Sequence, residues 1–303
     1  MKTDAKLYTQ PLSEMLGQQV VNSENMSILA LNEAAMIKLF QSEGVLLFRG
    51  FATNVEIFTQ FTNKFSKDFM DYAGGVFNRR IINGDSTLLS VNDFNHEIKL
   101  HGEMYYQKTI PLMLWFFCAH PAAQEGETIF CDGKQFFNEL SQPLKELFSQ
   151  KKLKYRGHLD KDAWQKQYKT NDLNVVKQIC KSNDSHLVIN KDESIDIHYI
   201  CSAIQHSMYE NHPVFISSLL PAKSMYSESV SFDDGSEIDD KIMRELYDIA
   251  EKITTEICWE KGDILMIDNT RIMHGRRAFV DDKRDIYIRL CSPLFSTNES
   301  NKG

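Results

Sequence analysis

Leu100-His101-Gly102-Glu103-Met104-Tyr105 sets an imidazole and a carboxylate two positions apart. On a β-strand, residues i and i+2 project from one face, so His101 and Glu103 can grip one metal ion from the same side. A third ligand has to come from a distant segment. His274, in Asn269-Thr270-Arg271-Ile272-Met273-His274-Gly275-Arg276, is the candidate. Neutral imidazoles bind a ferrous ion without cancelling its charge, and a single carboxylate leaves the centre net positive. Two histidines and one carboxylate on one face leave the other coordination positions open, which is the arrangement of non-haem iron oxygenases. A lone His-x-Glu is common on exposed strands, and a histidine in a glycine-flanked turn has a structural role available to it. The pair and the distant histidine carry weight only together.

The elements around these residues are short strands separated by Gly/Asp turns, with the ligands on two widely separated strands. That pattern predicts a mainly β fold with flanking helices, a double-stranded β-helix (jelly-roll) barrel whose mouth lets side chains converge. Apolar periodicity predicts helices over 32–42 (Ala35, Met36, Leu39, Phe40), 55–69 (Phe58, Phe61, Phe65, Phe69), 136–148 and 239–254 (Ile242, Leu246, Ile249, Ile253). The run Pro111 to Cys118 reads as a strand covered on both faces. Further strands are expected over 44–51, 257–259, 264–267 and 284–291. Turns are expected at Gly74-Gly75, Asn83-Gly84-Asp85 and Asp281-Asp282-Lys283. Arg49, inside an apolar run, calls for a salt-bridge partner. The stretch from Leu153 to Ser194 is rich in Lys and Asp. Its lysines read as a solvated face in preference to a lid over a site. The chain reads as a single domain, 1–303, with a helical/loop insert at about 134–210.

The chain has 303 residues and a net charge of -8, so a general nucleic-acid binder, which needs a basic field, is not expected. Six cysteines without a C-x-x-C pair fit reduced thiols buried as small apolar groups. Neither a signal core after Met1 nor an apolar run long enough to cross a bilayer is visible, which points to a cytoplasmic protein without membrane association. Nothing in the sequence speaks to oligomeric state.

Several blocks in order, from about Gly44 to Leu290, resemble the taurine dioxygenase (TauD/TfdA-like) family. They are Leu100 to Tyr105, Pro111 to Cys118 with Pro121-Ala122, Gly126-Glu127-Thr128, Lys261-Gly262-Asp263, and Asp268 to Phe279. Glu103, where taurine dioxygenase has Asp, is similar to the clavaminate synthase-like branch. The resemblance implies an Fe(II)/2-oxoglutarate-dependent dioxygenase in which His101, Glu103 and His274 bind Fe(II), with 2-oxoglutarate and O2 as co-substrates. Thr128 would hydrogen-bond a 2-oxoglutarate carboxylate. An arginine after the distal histidine would clamp the far carboxylate through a bidentate guanidinium pair. Arg284 and Arg289 lie at opposite parity on the last strand, so only one should face the interior. Arg289, enclosed by Ile286, Tyr287, Ile288 and Leu290, is preferred over Arg284 beside its charged turn. The reaction implied is hydroxylation or desaturation of a C–H bond of a small molecule, an amino acid (free or carrier-tethered) or a derivative, in specialised metabolism. Two other classes share the triad: a zinc-dependent hydrolase and a non-catalytic jelly-roll binding protein. Asp268 and Asn269 read as turn residues or as supports behind the ligands, not as ligands themselves.

Overall fold

The computed structural model describes residues 8–295, apart from 23, 24, 73, 74, 78, 93 and 282. The polar start of the chain, Gly74 of the glycine pair and Asp282 of the charged turn lie outside the described residues. Among those described, both candidate histidines lie on one four-stranded β-sheet, which packs against a larger one.

The largest sheet has nine strands, with Met113–His120 at its centre between Ile264–Asp268 and Asp285–Ser292, both antiparallel to it. The uninterrupted apolar run of this strand is explained by its two covered faces. Met113, Trp115 and Phe117 pack under the helices Glu33–Glu43 and Val55–Thr62, while Leu114, Phe116 and Cys118 face the second sheet. That second sheet has four strands in the order Thr255–Ile257, Thr128–Asp132, Ile272–Arg276, Ile98–His101. Phe130, Ile257 and Ile272 from it share one core with Leu47, Leu114, Ile267, Ile288 and Leu290 of the large sheet. The candidate ligands lie at the edge of this shared core.

Helix ends follow their sequence signals. Asn32 accepts from the Ala35 N–H at 3.0 Å and opens the first helix, and Gly44, at φ +73°, closes it by donating to the Phe40 carbonyl. Asp239 caps Asp240–Ile253 in the same way through the Ile242 N–H. The helix expected over 55–69 stops at Thr62, and 136–148 divides into Gly133–Glu139 and Gln142–Gln150 where Pro143 begins a new first turn. Arg49 finds its partner: Nη2 is 2.6 Å from Asp263 Oδ2, and Nε reaches both oxygens.

The expected helical/loop insert is a correction. It carries helices but also three strands of a four-stranded sheet, in the order His186–Ile189, Ile195–Cys201, Leu153–Leu159, with Val230–Phe232 from beyond the insert at the edge. Along Leu153–Leu159 the inward side chains are Leu153 and Tyr155, with Lys154 and Arg156 between them, so the strand alternation was hidden by a high Lys and Asp content. No helix among the described residues is long and apolar enough to cross a membrane.

Candidate active site

His101 ends its strand directly opposite His274 on the neighbouring one, so the antiparallel register itself brings the imidazoles face to face, with ring centroids 4.5 Å apart. Glu103 departs from the expected strand geometry. The strand stops at His101, and Glu103 sits in the turn that follows, with Met104 at φ +63°. Gly102 makes this turn possible, because a Cβ there would lie 2.4 Å from the Tyr105 ring and 2.8 Å from Ile216. Asn269, fully buried, fastens the turn. Its Oδ1 accepts from the Glu103 N–H at 2.8 Å, and its Nδ2 donates to the carbonyls of Glu103 (3.1 Å) and Pro111 (2.7 Å). Asn269, read as a turn residue or a support behind the ligands, does both: it clamps the turn that holds the carboxylate beside the histidines.

His101, Glu103 and His274 each offer one ligand atom, and these atoms lie within 4.8 Å of one another. Glu103 Oε2 is 3.4 Å from His274 Nε2 and 3.8 Å from His101 Nε2. His101 Nδ1 is 2.9 Å from the Lys99 carbonyl, which fixes the proton on Nδ1 and leaves the Nε2 lone pair facing the cluster. Glu103 Oε2 is buried and accepts no hydrogen bond, an arrangement that a cation would relieve. The residues fit a divalent metal.

Electrostatics prepare the set for a metal. Burial alone would raise the Glu103 pKa, but Arg79, whose Nη2 is 3.0 Å from Oε1, and the two imidazoles reverse this and hold it well below the usual carboxylate range. Burial, then the neighbouring His101, pushes His274 down to about 4, so its imidazole stays neutral, the form that ligates.

The same cavity is lined by Thr128, Arg276 and Arg284. Thr128 pairs with Arg276 across the sheet and takes a hydrogen bond from the Trp259 indole N–H at 2.9 Å. Arg284 is 3% exposed. It donates to the Gly126 carbonyl and to Asn92 Oδ1, and no carboxylate among the described residues lies within ion-pair distance. Burial and the adjacent Arg276 push its pKa down to about 9.

The preference for Arg289 does not hold. Arg289 points to the helix side of the large sheet, where Nη1 donates to Thr62 Oγ1 (2.6 Å) and Asn63 Oδ1 (2.9 Å), and its guanidinium stacks on Phe69 at 3.5 Å. It sits at the C-terminal end of Val55–Thr62, where a cation complements the helix dipole. The buried partner demanded by its apolar neighbours is a helix end. Arg276 is buried and donates to the carbonyls of Val91, Phe94 and His96, tying the approach to the His101 strand onto the His274 strand. Arg79 and Trp259 were missed. Arg79 stands in a polar stretch without periodicity, and an indole N–H on a distant threonine leaves no sequence trace. The segment Leu153 to Ser194 supplies part of the outer wall through Tyr155 to Leu159, joined by Ile197 to Tyr199 just beyond it, while the lysines read as a solvated face include Lys151 and Lys161, which make exposed ion pairs.

Two facing sheets with a paired-imidazole and carboxylate cluster at their edge, beside a buried arginine, define a non-haem iron dioxygenase that uses 2-oxoglutarate. The chain belongs to the family described as taurine catabolism dioxygenase TauD, TfdA, which it matches over residues 9–291. It is 23% identical over 286 residues to the dapdiamide synthesis protein DdaC of Enterobacter agglomerans, covering 87% of each chain. It is 24% identical over 274 residues to a clavaminate synthase-like protein of Arabidopsis thaliana, covering 84% of this chain and 83% of that one. Among solved structures, PvcB of Pseudomonas aeruginosa superposes with a TM-score of 0.64 at 15% identity, covering 96% of this chain and 92% of that one.

Proposed function

We propose that the chain oxidises a C–H bond of an amino acid or amino-acid derivative in a specialised-metabolite pathway, with His101, Glu103 and His274 as the Fe(II) ligands and Arg284, together with Thr128, as the 2-oxoglutarate cradle. The observation that carries the reading is Arg284, a buried guanidinium without a carboxylate of its own, lining one cavity with three converging metal-ligand side chains. When bound, iron and 2-oxoglutarate together supply the reduction of O2 that couples decarboxylation to succinate with removal of a substrate hydrogen. The chain's own groups do the rest. Arg284 receives the far carboxylate, and the Thr128 hydroxyl, already accepting from Trp259, turns its proton toward the co-substrate. The neutral imidazoles and the ionised Glu103 hold the metal on one face. The two facing sheets are read as a double-stranded β-helix.

Support for the substrate class comes from relatives: one is named for dapdiamide synthesis, and PvcB is described as an Fe, alpha-ketoglutarate dependent oxygenase from an isonitrile synthetic pathway. A cytoplasmic location is part of the proposal, supported by six free cysteines. Anaerobic addition of Fe(II) and 2-oxoglutarate tests the reading. A visible charge-transfer band of chelated co-substrate is expected, lost in His101→Ala. A folded wild-type protein without the band, or one that turns over without O2 and 2-oxoglutarate as a zinc hydrolase would, overturns it.

A further inference from the structure

The metal cavity opens into an outer chamber of about 450 Å³, the two sharing Phe77, Ile98, His101 and Glu103. The chamber is walled by Tyr155 to Leu159, Ile197 to Tyr199 and the helix Leu219–Met225 with the turn after it. Its charge is one-sided. The whole chain carries 42 acidic against 34 basic side chains. Yet among the described residues lining the chamber the basic groups are His101, Arg156, His158 and His198, and the single carboxylate is Glu103. His158 is paired with Asp196 at 2.7 Å, and Arg156 donates to the Glu228 carbonyl. Glu103 is itself engaged by Arg79.

Arg79 stands where the two cavities meet. Its guanidinium lies 4.0 Å from the ring centroid of Tyr72, a chamber residue, and lines the metal cavity. The side chain is 93% buried, and while Nη2 holds Glu103 Oε1, Nη1 is buried with no hydrogen-bond partner among the described residues. A buried N–H left unbonded is unfavourable, and the acceptor that best relieves a cationic one is a carboxylate. An ammonium entering this chamber would find no free carboxylate to pair with, and an unpaired buried charge is heavily penalised.

Building on the dioxygenase reading, we infer that the substrate is an organic anion. Its carboxylate is received by the free edge of Arg79 beside the metal, its body fills the outer chamber, and any nitrogen near the carboxylate is acylated or otherwise uncharged. This narrows the amino acids considered above to N-masked derivatives.

The test uses the full chain loaded anaerobically with Fe(II) and 2-oxoglutarate, with perturbation of the charge-transfer band as the readout. Probes of one body and different charge are compared at millimolar concentration: N-acetyl-L-phenylalanine, L-phenylalanine, N-acetyl-L-phenylalaninamide and phenethylamine, then the corresponding leucine set. The N-acetyl acids are expected to bind about ten-fold or more tighter than their amides, the worth of one charge-assisted hydrogen bond, and the amines least. In Arg79→Met, once Mn(II) binding has been measured and the metal and 2-oxoglutarate are brought to saturation, that preference should vanish. An amide or amine binding as tightly as its acid, or neither acid binding at all, overturns the inference. So does an acid-over-amide preference that survives in metal-loaded Arg79→Met, since the carboxylate would then be received elsewhere. Should Arg79→Met fail to fold or to load metal, the order among the wild-type probes decides alone. A missing band before any probe is added sinks the oxygenase reading and not this one.

Discussion

Replacing Arg284 by methionine keeps most of the buried stem and removes the charge. In the protein as it stands that cation makes two hydrogen bonds, to the Gly126 carbonyl at 3.2 Å and to Asn92 Oδ1 at 2.6 Å, and is pressed down to a pKa of about 9 by burial and Arg276. Its burial costs the fold stability, which on the proposed reading the far carboxylate of 2-oxoglutarate offsets. Removing one partner of a buried charge pair costs about 3–5 kcal/mol, because the other charge is left unpaired. Taking the lower end, 3 kcal/mol corresponds to about 100-fold in binding. The 2-oxoglutarate affinity of Arg284→Met, titrated anaerobically through the charge-transfer band, should fall by about that factor, with the apparent KM from succinate release rising in step. Its melting temperature should stay near that of the wild type. Arg289→Met should do the opposite: a clear loss of melting temperature, since a helix end loses its cation, and a 2-oxoglutarate affinity within a few-fold of wild type. A loss below five-fold in Arg284→Met, or the larger loss falling on Arg289→Met, refutes the placement of the co-substrate.

Burial raises the Asp268 carboxyl from 3.8 to about 6. Between those values the folded chain keeps a proton that the unfolded chain has released, so stability falls as pH rises through that window and the penalty is complete above about 6. Asp268→Asn keeps an acceptor for the Thr270 N–H and hydroxyl, so at neutral pH it should be more stable by up to about 3 kcal/mol, an advantage that disappears in acid. Denaturant melts at both ends of the range check this, and a difference that does not vary with pH contradicts it. Trp259→Phe removes the N–H that orients Thr128. A rise of about 3–10-fold in the 2-oxoglutarate dissociation constant is expected, in line with one hydrogen bond of about 1 kcal/mol, and unchanged affinity would show that the hydroxyl needs no orienting. Asn269→Ala unfastens the Glu103 turn and should weaken Mn(II) binding about 10–100-fold by equilibrium dialysis. A folded variant that binds Mn(II) as before would mean that the turn holds itself.

Much of this architecture was legible before any coordinates. The double covering of Met113–His120 follows from its unbroken apolar run, and the helix starts at Asn32 and Asp239 follow from capping chemistry. The two histidines and the carboxylate could be chosen because residue type and order sufficed. The failures have a common physical cause. Strand parity separates Arg284 from Arg289, but it does not say which parity faces the site, and a helix end could satisfy a buried guanidinium as well as a ligand could. Glu103 leaves the strand because Gly102 and Asn269 form a turn there, which i, i+2 counting cannot foresee. Arg79 meets Glu103 only through long-range folding, so nothing near it in sequence announces the ion pair.

The opposed placement of His101 and His274 also bears on how different ions would be accommodated. Both rings hang from backbone rungs whose separation the hydrogen-bonded lattice dictates, so that half of the coordination shell resembles a fixed jaw. Glu103 stands off that lattice, on a turn tied down by one side chain, Asn269. Exchanging iron for manganese, cobalt or nickel should therefore leave the two rungs in register and move the chain only between Gly102 and Tyr105.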